Sequence, residues 1–415
     1  MQLLGDRKWQ GKIFSGGWID GGGDTYASVE PATMQQLGEV GGATPADVGR
    51  AVQRAIKVQQ GWAATPYDRR AAVLRRAADL LEEHQEEVED WVVREAGVPR
   101  YFAGALGAAE EFRQAAALAS APRGQVLPSS QPRLSFTRRI PVGVVGVIAP
   151  FNAPLFLAAR ALAPALALGN AAVLKPDPRT AVCGGVVFAR VLEEAGLPAD
   201  LLHVLPGGGD IGREIVTHRA VPVIAFTGSV AAGRQVARLA APLLKRLHLE
   251  LGGNSALVVL EDADLEHAAQ LGSFGSFHNA GQVCMAASRH LVAARLVEEY
   301  TALLTERAEA LKIGNPADGD VAYGPLIDEP ARDKVHAVVH DSVTAGARLV
   351  TGGTYDGLFY RPTVLAKVPT GVRATKKRSS APSRPSSHSR TSTRRHGSPP
   401  EPNTVSHSPY SPTTS

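Results

Sequence analysis

The sequence contains little sulfur and has no long uninterrupted apolar run. Of its 415 residues, only two are cysteine and three are methionine; this excludes a disulfide framework and favours a reducing compartment. The most apolar stretch, residues 142–174, is interrupted by Asn152, Arg160 and Asn170, so it is too broken for a membrane span of about 20 apolar residues. The first nine residues lack the apolar stretch of a secretory signal. These absences predict a cytoplasmic protein with no membrane partner.

The net charge of +4 is the sum of a strongly basic tail of 42 residues, at +6, and a body at −2. Residues 374–415 carry seven Lys or Arg and one Glu, whereas the preceding 373 residues carry 37 basic and 39 acidic side chains. The body of the chain therefore gives no reason to expect nucleic-acid binding. The tail contains 12 Ser, 7 Pro and 6 Thr without apolar periodicity. We predict that it is disordered, because it cannot bury enough surface to offset the entropy of the chain.

Apolar spacing divides the rest of the chain into three parts. Residues 45–95 show helical spacing, with Thr44 as N-cap and Pro45 in the first helical position. Residues 125–139 contain two prolines and are predicted to form an extended hairpin. From residue 141, short apolar runs alternate with helical patterns, which predicts a parallel sheet covered on both faces. The predicted strands are 142–149, 171–175, 201–205 and 223–226, and the predicted helices are 154–168, 181–195, 210–218 and 231–239.

A second α/β unit is predicted to begin after Gly253. Its predicted strands are 255–260 and 290–293, its predicted helices are 265–287, 297–311 and 331–345, and residues 314–324 are predicted to form a loop. Ligands bind open parallel sheets at the carboxyl ends of the strands. Several polar and glycine-rich motifs of the first unit fall at those ends.

Cys284 is the candidate nucleophile. It follows Gly281 and Gln282, where a tight backbone would expose the thiol. The other cysteine, Cys183, lies in an apolar helical pattern and is predicted to be an inert core thiol. A structural role is the alternative for any single cysteine.

Two further side chains supply the functional groups that a cysteine nucleophile needs. Glu250 lies in an apolar segment that ends in a double glycine, and a carboxylate is costly to bury there without a role; a salt bridge to Lys245 or Arg246 is the alternative. Asn152 carries a carboxamide that can donate to an oxyanion, and its alternative role is that of a turn residue. A thiol, a base and an amide donor together predict covalent chemistry on a carbonyl group.

Other motifs are candidates for nucleotide binding. Gly228 and Ser229 end a strand and open a helix, with Gly233 one turn later, and a helix N-terminus of this kind can hold a phosphate; a simple cap by Ser229 with a packing glycine is the alternative. Lys175 ends another strand and can donate to ribose hydroxyls, unless it is merely solvated. Gly207 belongs to a triple-glycine loop after a third strand.

Taken together, these motifs resemble the NAD(P)-dependent aldehyde dehydrogenase superfamily. The resemblance extends from about Gly17 to about Arg373, and the stretch 175–180 resembles the benzaldehyde dehydrogenase branch. The motifs that carry it are Glu30-Pro31-Ala32-Thr33, Pro150-Phe151-Asn152-Ala153-Pro154, Lys175-Pro176, Phe226-Thr227-Gly228-Ser229 with Gly233, Glu250-Leu251-Gly252-Gly253 and Gly281-Gln282-Val283-Cys284.

The resemblance implies a fold, a set of roles and an activity. It implies an NAD(P)-binding domain of residues 1–124 and 140–250, an oligomerisation hairpin of residues 125–139, and an incomplete catalytic domain of residues 251–373. It also implies oxidation of a small-molecule aldehyde to the acid with NAD or NADP, without a metal. Cys284 would attack the aldehyde, Asn152 and the Cys284 backbone N–H would hold the oxyanion, and Glu250 would activate water. The residues implied in cofactor binding are Pro150, Phe151, Lys175, Gly207, Gly228, Ser229, Gly233 and Leu251.

The sequence departs from the family pattern at two places. Pro178 stands where the family often has a ribose-binding glutamate, which leaves NAD versus NADP open; we hypothesise relaxed choice, with Arg179 assisting a 2′-phosphate. The Glu-x-Phe-Gly-Pro motif of the family does not follow residues 361–365, and the strand that pairs subunits is missing, which argues against the family's homo-oligomer. The alternative function is therefore a truncated, catalytically impaired nucleotide-binding protein. The abrupt change near Arg373 motivates the hypothesis of a shifted reading frame.

Overall fold

The computed structural model describes residues 2–372, residue 374 and the backbone of residues 383–389. The N-terminal part contains short strands that the apolar spacing did not predict, followed by the predicted helices. The strands are β1 (Lys12–Ser15), β2 (Trp18–Asp20), β3 (Gly23–Val29) and β4 (Gln36–Gly42). The helices are α1 (Pro45–Ala64), α2 (Tyr67–Glu83), α3 (Gln85–Ala96) and α4 (Ala105–Leu118).

Two local predictions in this part are confirmed. Thr44 caps α1: its Oγ1 accepts the Asp47 N–H at 3.3 Å, and Asp47 Oδ2 accepts the Thr44 N–H at 2.8 Å. Each side chain thus satisfies a backbone donor that the first helical turn leaves unpaired. The predicted hairpin is formed by β5 (Val126–Leu127) and β6 (Ser135–Phe136), which pair antiparallel.

The alternating pattern from residue 141 onwards forms the predicted parallel sheet. Its strands are β7 (Val144–Ile148), β8 (Ala171–Lys175), β9 (Leu202–Val204), β10 (Val223–Gly228) and β11 (Arg246–Leu251). The connecting helices are α5 (Pro154–Ala167), α6 (Val187–Glu194), α7 (Gly209–Thr217) and α8 (Val230–Ala240). The strand order is β11-β10-β7-β8-β9-β1-β2, and the antiparallel β1 and β2 extend one edge.

The start of the predicted helix 181–195 differs from the prediction. Residues Val182–Val186 form a π-helical turn before α6. The buried carboxylate of Glu95 accepts the N–H groups of Val182 and Cys183 at 3.1 and 2.8 Å. A side chain from α3 therefore takes backbone donors of this turn, which helical spacing alone cannot reveal.

The second unit contains a sheet of its own. Its elements are β12 (Ser255–Val259), α9 (Leu265–Phe277), β13 (Ala287–Ala293), α10 (Val297–Glu309), α11 (Glu329–Thr344), β14 (Arg348–Thr351), β15 (Tyr355–Asp356), β16 (Phe359–Tyr360), β17 (Thr363–Ala366) and β18 (Ser383–Ser389). The strand order is β12-β13-β18-β17-β14, and β15 pairs separately with β16. The prediction of helix up to residue 287 is wrong beyond Phe277, because Asn279 and Ala280 adopt left-handed φ angles of 49° and 55°.

Strand β18 lies within the segment that was predicted to be disordered. Its backbone pairs in parallel with β13 on one side and β17 on the other. These two strands would otherwise face each other with unpaired N–H and C=O groups, which an extended segment of almost any composition can satisfy. These seven residues of the predicted tail thus form a strand, and apart from Ala374 the remainder of the tail lies outside the described residues.

Buried apolar side chains form two clusters. One draws on residues 3–240 and includes Trp9, Phe112 and Phe188; the other draws on residues 259–368 and includes Tyr300 and Tyr323. Within the described part of the chain, no helix combines the length and apolar character needed to cross a bilayer.

Candidate active site

The residues predicted to bind a cofactor gather at one edge of the parallel sheet. In the register of this sheet Ile148 lies opposite both Lys175 and Phe226, and Gly228 lies opposite Leu251. Strands β7, β8, β10 and β11 therefore end together. Pro150, Phe151, Ser229 and Gly207 follow these ends or that of the neighbouring β9, so the predicted cofactor residues share an edge.

Lys175 is buried at this edge, so the alternative that it is merely a solvated lysine is wrong. Its residue is only 7% exposed, and its Nζ donates to the Pro176 carbonyl at 3.0 Å. Burial lowers the pKa of Lys175, while the carboxylates of Asp177 and Asp210 oppose that shift. A desolvated amine beside a strand end fits the ribose hydroxyls of a dinucleotide, to which it can donate.

The N-terminus of α8 is open and lies at the end of the neighbouring strand. Ser229 Oγ accepts the Ala232 N–H at 3.2 Å, so the serine does cap the helix, and residues 229–231 are exposed. A Cβ atom on Gly233 would come within 2.4 Å of Leu251 Cδ2, which accounts for that glycine by packing. An exposed helix N-terminus with its positive dipole end fits the pyrophosphate of a dinucleotide.

Glycines near the other strand ends are also required by close packing. A Cβ on Gly207 would lie 2.3 Å from Ile211 Cγ1, and one on Gly228 would lie 2.7 Å from Phe226 Cζ. A side chain at either position would therefore require Ile211 or Phe226 to move. Both positions therefore have a structural reason for glycine besides any approach of a ligand.

Arg179 does not present a free guanidinium to the cofactor edge. Its Nε and Nη2 both donate to the Asp177 carboxylate at 2.8 Å, and its Nη1 donates to Asp328. Burial alone would lower the pKa of Arg179, but the hydrogen bonds to these two carboxylates raise it above its ordinary value. Two anions already neutralise the cation, so this geometry argues against the hypothesis that Arg179 assists a 2′-phosphate.

Cys284 lies in a loop between α9 and β13, and its side chain is exposed. The preceding turn contains three successive left-handed residues: Asn279, Ala280 and Gly281, with φ angles of 49°, 55° and 72°. The turn is closed by the Gln282 N–H, which donates to the Asn279 carbonyl at 3.0 Å. The tight backbone therefore exposes the thiol, as the sequence predicted.

Cys183 has the opposite environment. It is fully buried, and burial together with the nearby Glu95 carboxylate raises its pKa well above the ordinary value. Such a thiol stays protonated and out of reach of substrates. The prediction of an inert core cysteine is confirmed.

Asn152 contacts the turn that leads to Cys284. Its Nδ2 donates to the Gln282 carbonyl at 2.8 Å, and Asn279 Nδ2 donates to the Asn152 carbonyl at 3.4 Å. Residues 130 positions apart are thus joined, which a simple turn residue between Phe151 and Pro154 would not require. Because the Asn152 amide has two N–H groups, this bond leaves one for an oxyanion.

The side chain of Gln282 anchors the same turn, a role that was not predicted from the sequence. Gln282 is 3% exposed; its Oε1 accepts the Ile327 N–H at 3.1 Å, and its Nε2 donates to the Pro325 carbonyl at 3.3 Å. Its presence beside Cys284 in the motif was the one available signal. The partners lie more than 40 residues away, so the sequence could not supply them.

The environment of Glu250 differs from the buried one that was predicted. Its side chain is 50% exposed, and it pairs with His248 Nε2 at 3.2 Å rather than with Lys245 or Arg246. Successive side chains of β11 alternate between the two faces of the sheet, and Glu250 lies with His248 on the exposed face, so the carboxylate is not buried among apolar neighbours. The premise of a costly buried carboxylate is therefore wrong.

The segment after Glu250 is joined to the segment after Cys284. Ser255, the first residue of β12, pairs with Ala287, the first residue of β13. The Arg289 guanidinium donates twice to the Asn254 carbonyl, at 3.1 and 2.9 Å. Glu250 therefore lies five residues before the start of β12, and Cys284 lies three residues before the start of β13. These two strand starts are directly paired.

An aromatic group at the start of the Cys284 turn was also not predicted. His278 lies with ring centroids 4.7 Å from Phe102 and 4.8 Å from Phe274. The Tyr101 hydroxyl is 3.2 Å from His278 Nδ1. Tyr101 and Phe274 are largely exposed, so this group offers a ring-lined surface next to the turn.

Comparison with known proteins identifies the family. The profile of the aldehyde dehydrogenase family matches residues 18–382, nine residues beyond the predicted limit near Arg373. A vanillin dehydrogenase of Amycolatopsis is 56% identical over 376 residues, covering 90% of this chain and 77% of that protein. The NAD(+) benzaldehyde dehydrogenase of Pseudomonas putida is 46% identical over 363 residues, covering 87% and 74%.

A solved structure agrees with this result. The NAD-dependent benzaldehyde dehydrogenase from Corynebacterium glutamicum superposes with a TM-score of 0.86 at 36% identity, covering 91% of this chain and 82% of that one. Sequence and fold therefore lead to the same conclusion, and this chain belongs to the aldehyde dehydrogenase family.

Proposed function

We propose that this protein oxidises aromatic aldehydes to carboxylic acids with NAD, through a thioester on Cys284. The observation that carries the proposal is the 2.8 Å hydrogen bond from Asn152 Nδ2 to the Gln282 carbonyl. It ties a carboxamide from the cofactor edge to the turn that exposes Cys284. An oxyanion donor and a nucleophile are thereby held by the same contact.

The first half of the reaction requires Cys284 and Asn152. The thiolate attacks the carbonyl carbon, and the carbonyl oxygen becomes an oxyanion as the sulfur–carbon bond forms. The second N–H of the Asn152 amide and the Cys284 backbone N–H donate to this oxygen. A bound NAD supplies the acceptor for the hydride that leaves the carbon, with a thioester on Cys284 as the protein-bound product.

The second half requires Glu250. Its carboxylate takes a proton from water, and the resulting hydroxide attacks the thioester carbon. The carbon–sulfur bond then breaks, the acid leaves, and the Cys284 thiolate is restored. The half-exposed position of Glu250 supports this role, because water reaches the carboxylate directly.

Aromatic aldehydes are the proposed substrates for two reasons. The relatives at 56% and 46% identity are named for vanillin and benzaldehyde. The aromatic group of Tyr101, Phe102, Phe274 and His278 lies at the start of the Cys284 turn and can pack against an aryl ring. We expect kcat/KM for benzaldehyde to exceed that for a short aliphatic aldehyde by about tenfold or more, as expected for roughly 1.4 kcal/mol of extra contact.

NAD is proposed as the preferred cofactor. Two carboxylates already neutralise the Arg179 guanidinium and take three of its five N–H donors, which disfavours the binding of a 2′-phosphate there. Measuring kcat/KM with each cofactor tests this point. Equal values for NAD and NADP would restore the hypothesis of relaxed choice.

The domain division is also proposed. An NAD-binding domain of residues 1–124 and 140–250, with a catalytic domain of residues 251–373, is supported by the two separate clusters of buried side chains. A hairpin of residues 125–139 with exposed apolar side chains supports contact with a second copy of the chain. The two unpaired cysteines support a location in the cytoplasm.

Production of NADH from benzaldehyde and NAD tests the function. Glu250→Gln should form about one equivalent of NADH per Cys284 and then stall, because the thioester forms without the base but is not hydrolysed. Cys284→Ser should form none. Glu261→Gln is the control, because Glu261 is another half-exposed carboxylate in a surface ion pair. Binding of NAD by the unmodified protein without any NADH would instead identify the impaired nucleotide-binding protein.

A further inference from the structure

Arg179 connects the cofactor edge to the second unit of the protein. Besides its two bonds to Asp177, its guanidinium lies over the Phe151 ring, 4.5 Å from the centroid. The remaining arm of the guanidinium donates to Asp328, which is 149 residues away in the sequence. Arg179 thus contacts Asp177 of the first unit, Asp328 of the second unit, and Phe151, which precedes Asn152.

Asp328 is directly linked to the anchor of the Cys284 turn. The preceding residue, Ile327, donates its N–H to Gln282 Oε1 at 3.1 Å, and the Gln282 carbonyl accepts from Asn152. The contacts therefore close on themselves, and we call this set the positioning circuit. It consists of Arg179, Phe151, Asn152, Gln282, Ile327 and Asp328.

We propose that Arg179 is a positioning residue that fixes the Asn152 amide relative to the Cys284 turn. This inference rests on the proposed function for its meaning, but the contacts themselves do not involve substrate. The two carboxylates that converge on the guanidinium, Asp177 and Asp328, carry like charge. Without the cation between them, Asp177 and Asp328 repel, and the segment 325–328 moves away from the edge together with its hold on Gln282.

Three variants separate this role from loss of stability. Arg179→Ala removes the cation, Asp328→Asn removes one charge but keeps an oxygen that can cap α11 through the Ala331 N–H, and the double variant removes both. Arg332→Ala is the matched control. Arg332 also bonds to two carboxylates, Glu329 and Asp333, and lies over an aromatic ring, Tyr355, at 4.9 Å, but it does not belong to the positioning circuit.

The kinetic outcomes are specific. We expect Arg179→Ala to lower kcat for benzaldehyde roughly ten- to a hundredfold, the scale of a small misplacement of reacting groups, with less than about a threefold change in KM for NAD. The double variant should recover part of the loss, because it removes the repulsion. Arg332→Ala should stay within about twofold of the unmodified protein. A selective rise in KM for NADP, or an unchanged kcat, would overturn the proposal.

A second readout does not depend on turnover. In Arg179→Ala, hydrogen exchange of the peptides that cover residues 279–284 and 325–331 should be faster by about tenfold or more. In Arg332→Ala, exchange of the peptide 279–284 should be unchanged. Unchanged exchange at 279–284 in Arg179→Ala would refute the coupling even if activity fell. If the unmodified protein forms no NADH, the proposed function fails, while this measurement still decides whether Arg179 positions the turn.

Discussion

Replacing Asn152 with alanine tests the central contact of the site. The amide makes one hydrogen bond to the Gln282 carbonyl at 2.8 Å and has a second N–H, which is the proposed donor to the reacting oxygen. Loss of an oxyanion donor raises the barrier by about 3–4 kcal/mol, which corresponds to roughly two to three decades in kcat. Loss of the bond to Gln282 lowers the free energy of unfolding by only about 1 kcal/mol. The activity should therefore fall far more than the stability.

Asn170 provides the matched control for this prediction. Its buried amide lies at the opposite, amino-terminal end of the same strands, where Oδ1 accepts the N–H groups of Val142 and Gly143 at 2.7 and 3.2 Å. Asn170→Ala should destabilise the protein more than Asn152→Ala, because it leaves more buried groups unpaired, yet keep kcat nearly unchanged below the melting temperature. Initial rates of NADH formation and urea unfolding measure the two quantities. A kcat for Asn152→Ala within about threefold of the unmodified value would remove the oxyanion role.

Two further predictions concern stability. Burial lowers the pKa of His203 to about 4, so the folded state holds the imidazole neutral. The free energy of unfolding should therefore fall by about 3 kcal/mol as the pH drops from 6.5 to about 4. Urea unfolding of the unmodified protein and of His203→Gln across this range measures the effect, and an equally steep fall in the variant would contradict it. Thr44→Ala should cost about 1 kcal/mol through loss of the α1 cap, whereas Thr44→Ser should cost much less because the hydroxyl remains; equal urea midpoints for the two variants would contradict this.

Much of the parallel sheet follows from local patterns. Strand β8 is found at residues 171–175 as predicted, and the alternation of strands and helices correctly indicated parallel pairing. Apolar runs between short connections allow few other arrangements. The placement of Lys175 and Ser229 at the same edge of the sheet therefore follows from the sequence.

The differences arise where the environment of a side chain depends on what covers its face of a strand or on distant partners. Glu250 was expected to be buried because its neighbours Leu249 and Leu251 are apolar, but these point to the opposite face of β11, and the face that carries Glu250 is exposed. Arg179 was hypothesised to assist a 2′-phosphate, and its contacts with two carboxylates argue against that role. Its partner Asp328 lies on another unit of the chain, and no local pattern links the two.

The turn before Cys284 combines an unfavourable backbone with several independent anchors. Ala280 in a left-handed conformation costs roughly 1–2 kcal/mol, because its Cβ crowds the following carbonyl. The Gln282 side chain makes two long-range hydrogen bonds and its carbonyl a third, with Asn152. At about 1 kcal/mol for each bond, the anchors offset the backbone cost. Because the anchors come from both units, the exposed thiol keeps its place only while the edge of the parallel sheet and the second unit stay in contact. The proposed nucleophile is therefore held by the same contacts that join the two parts of the protein.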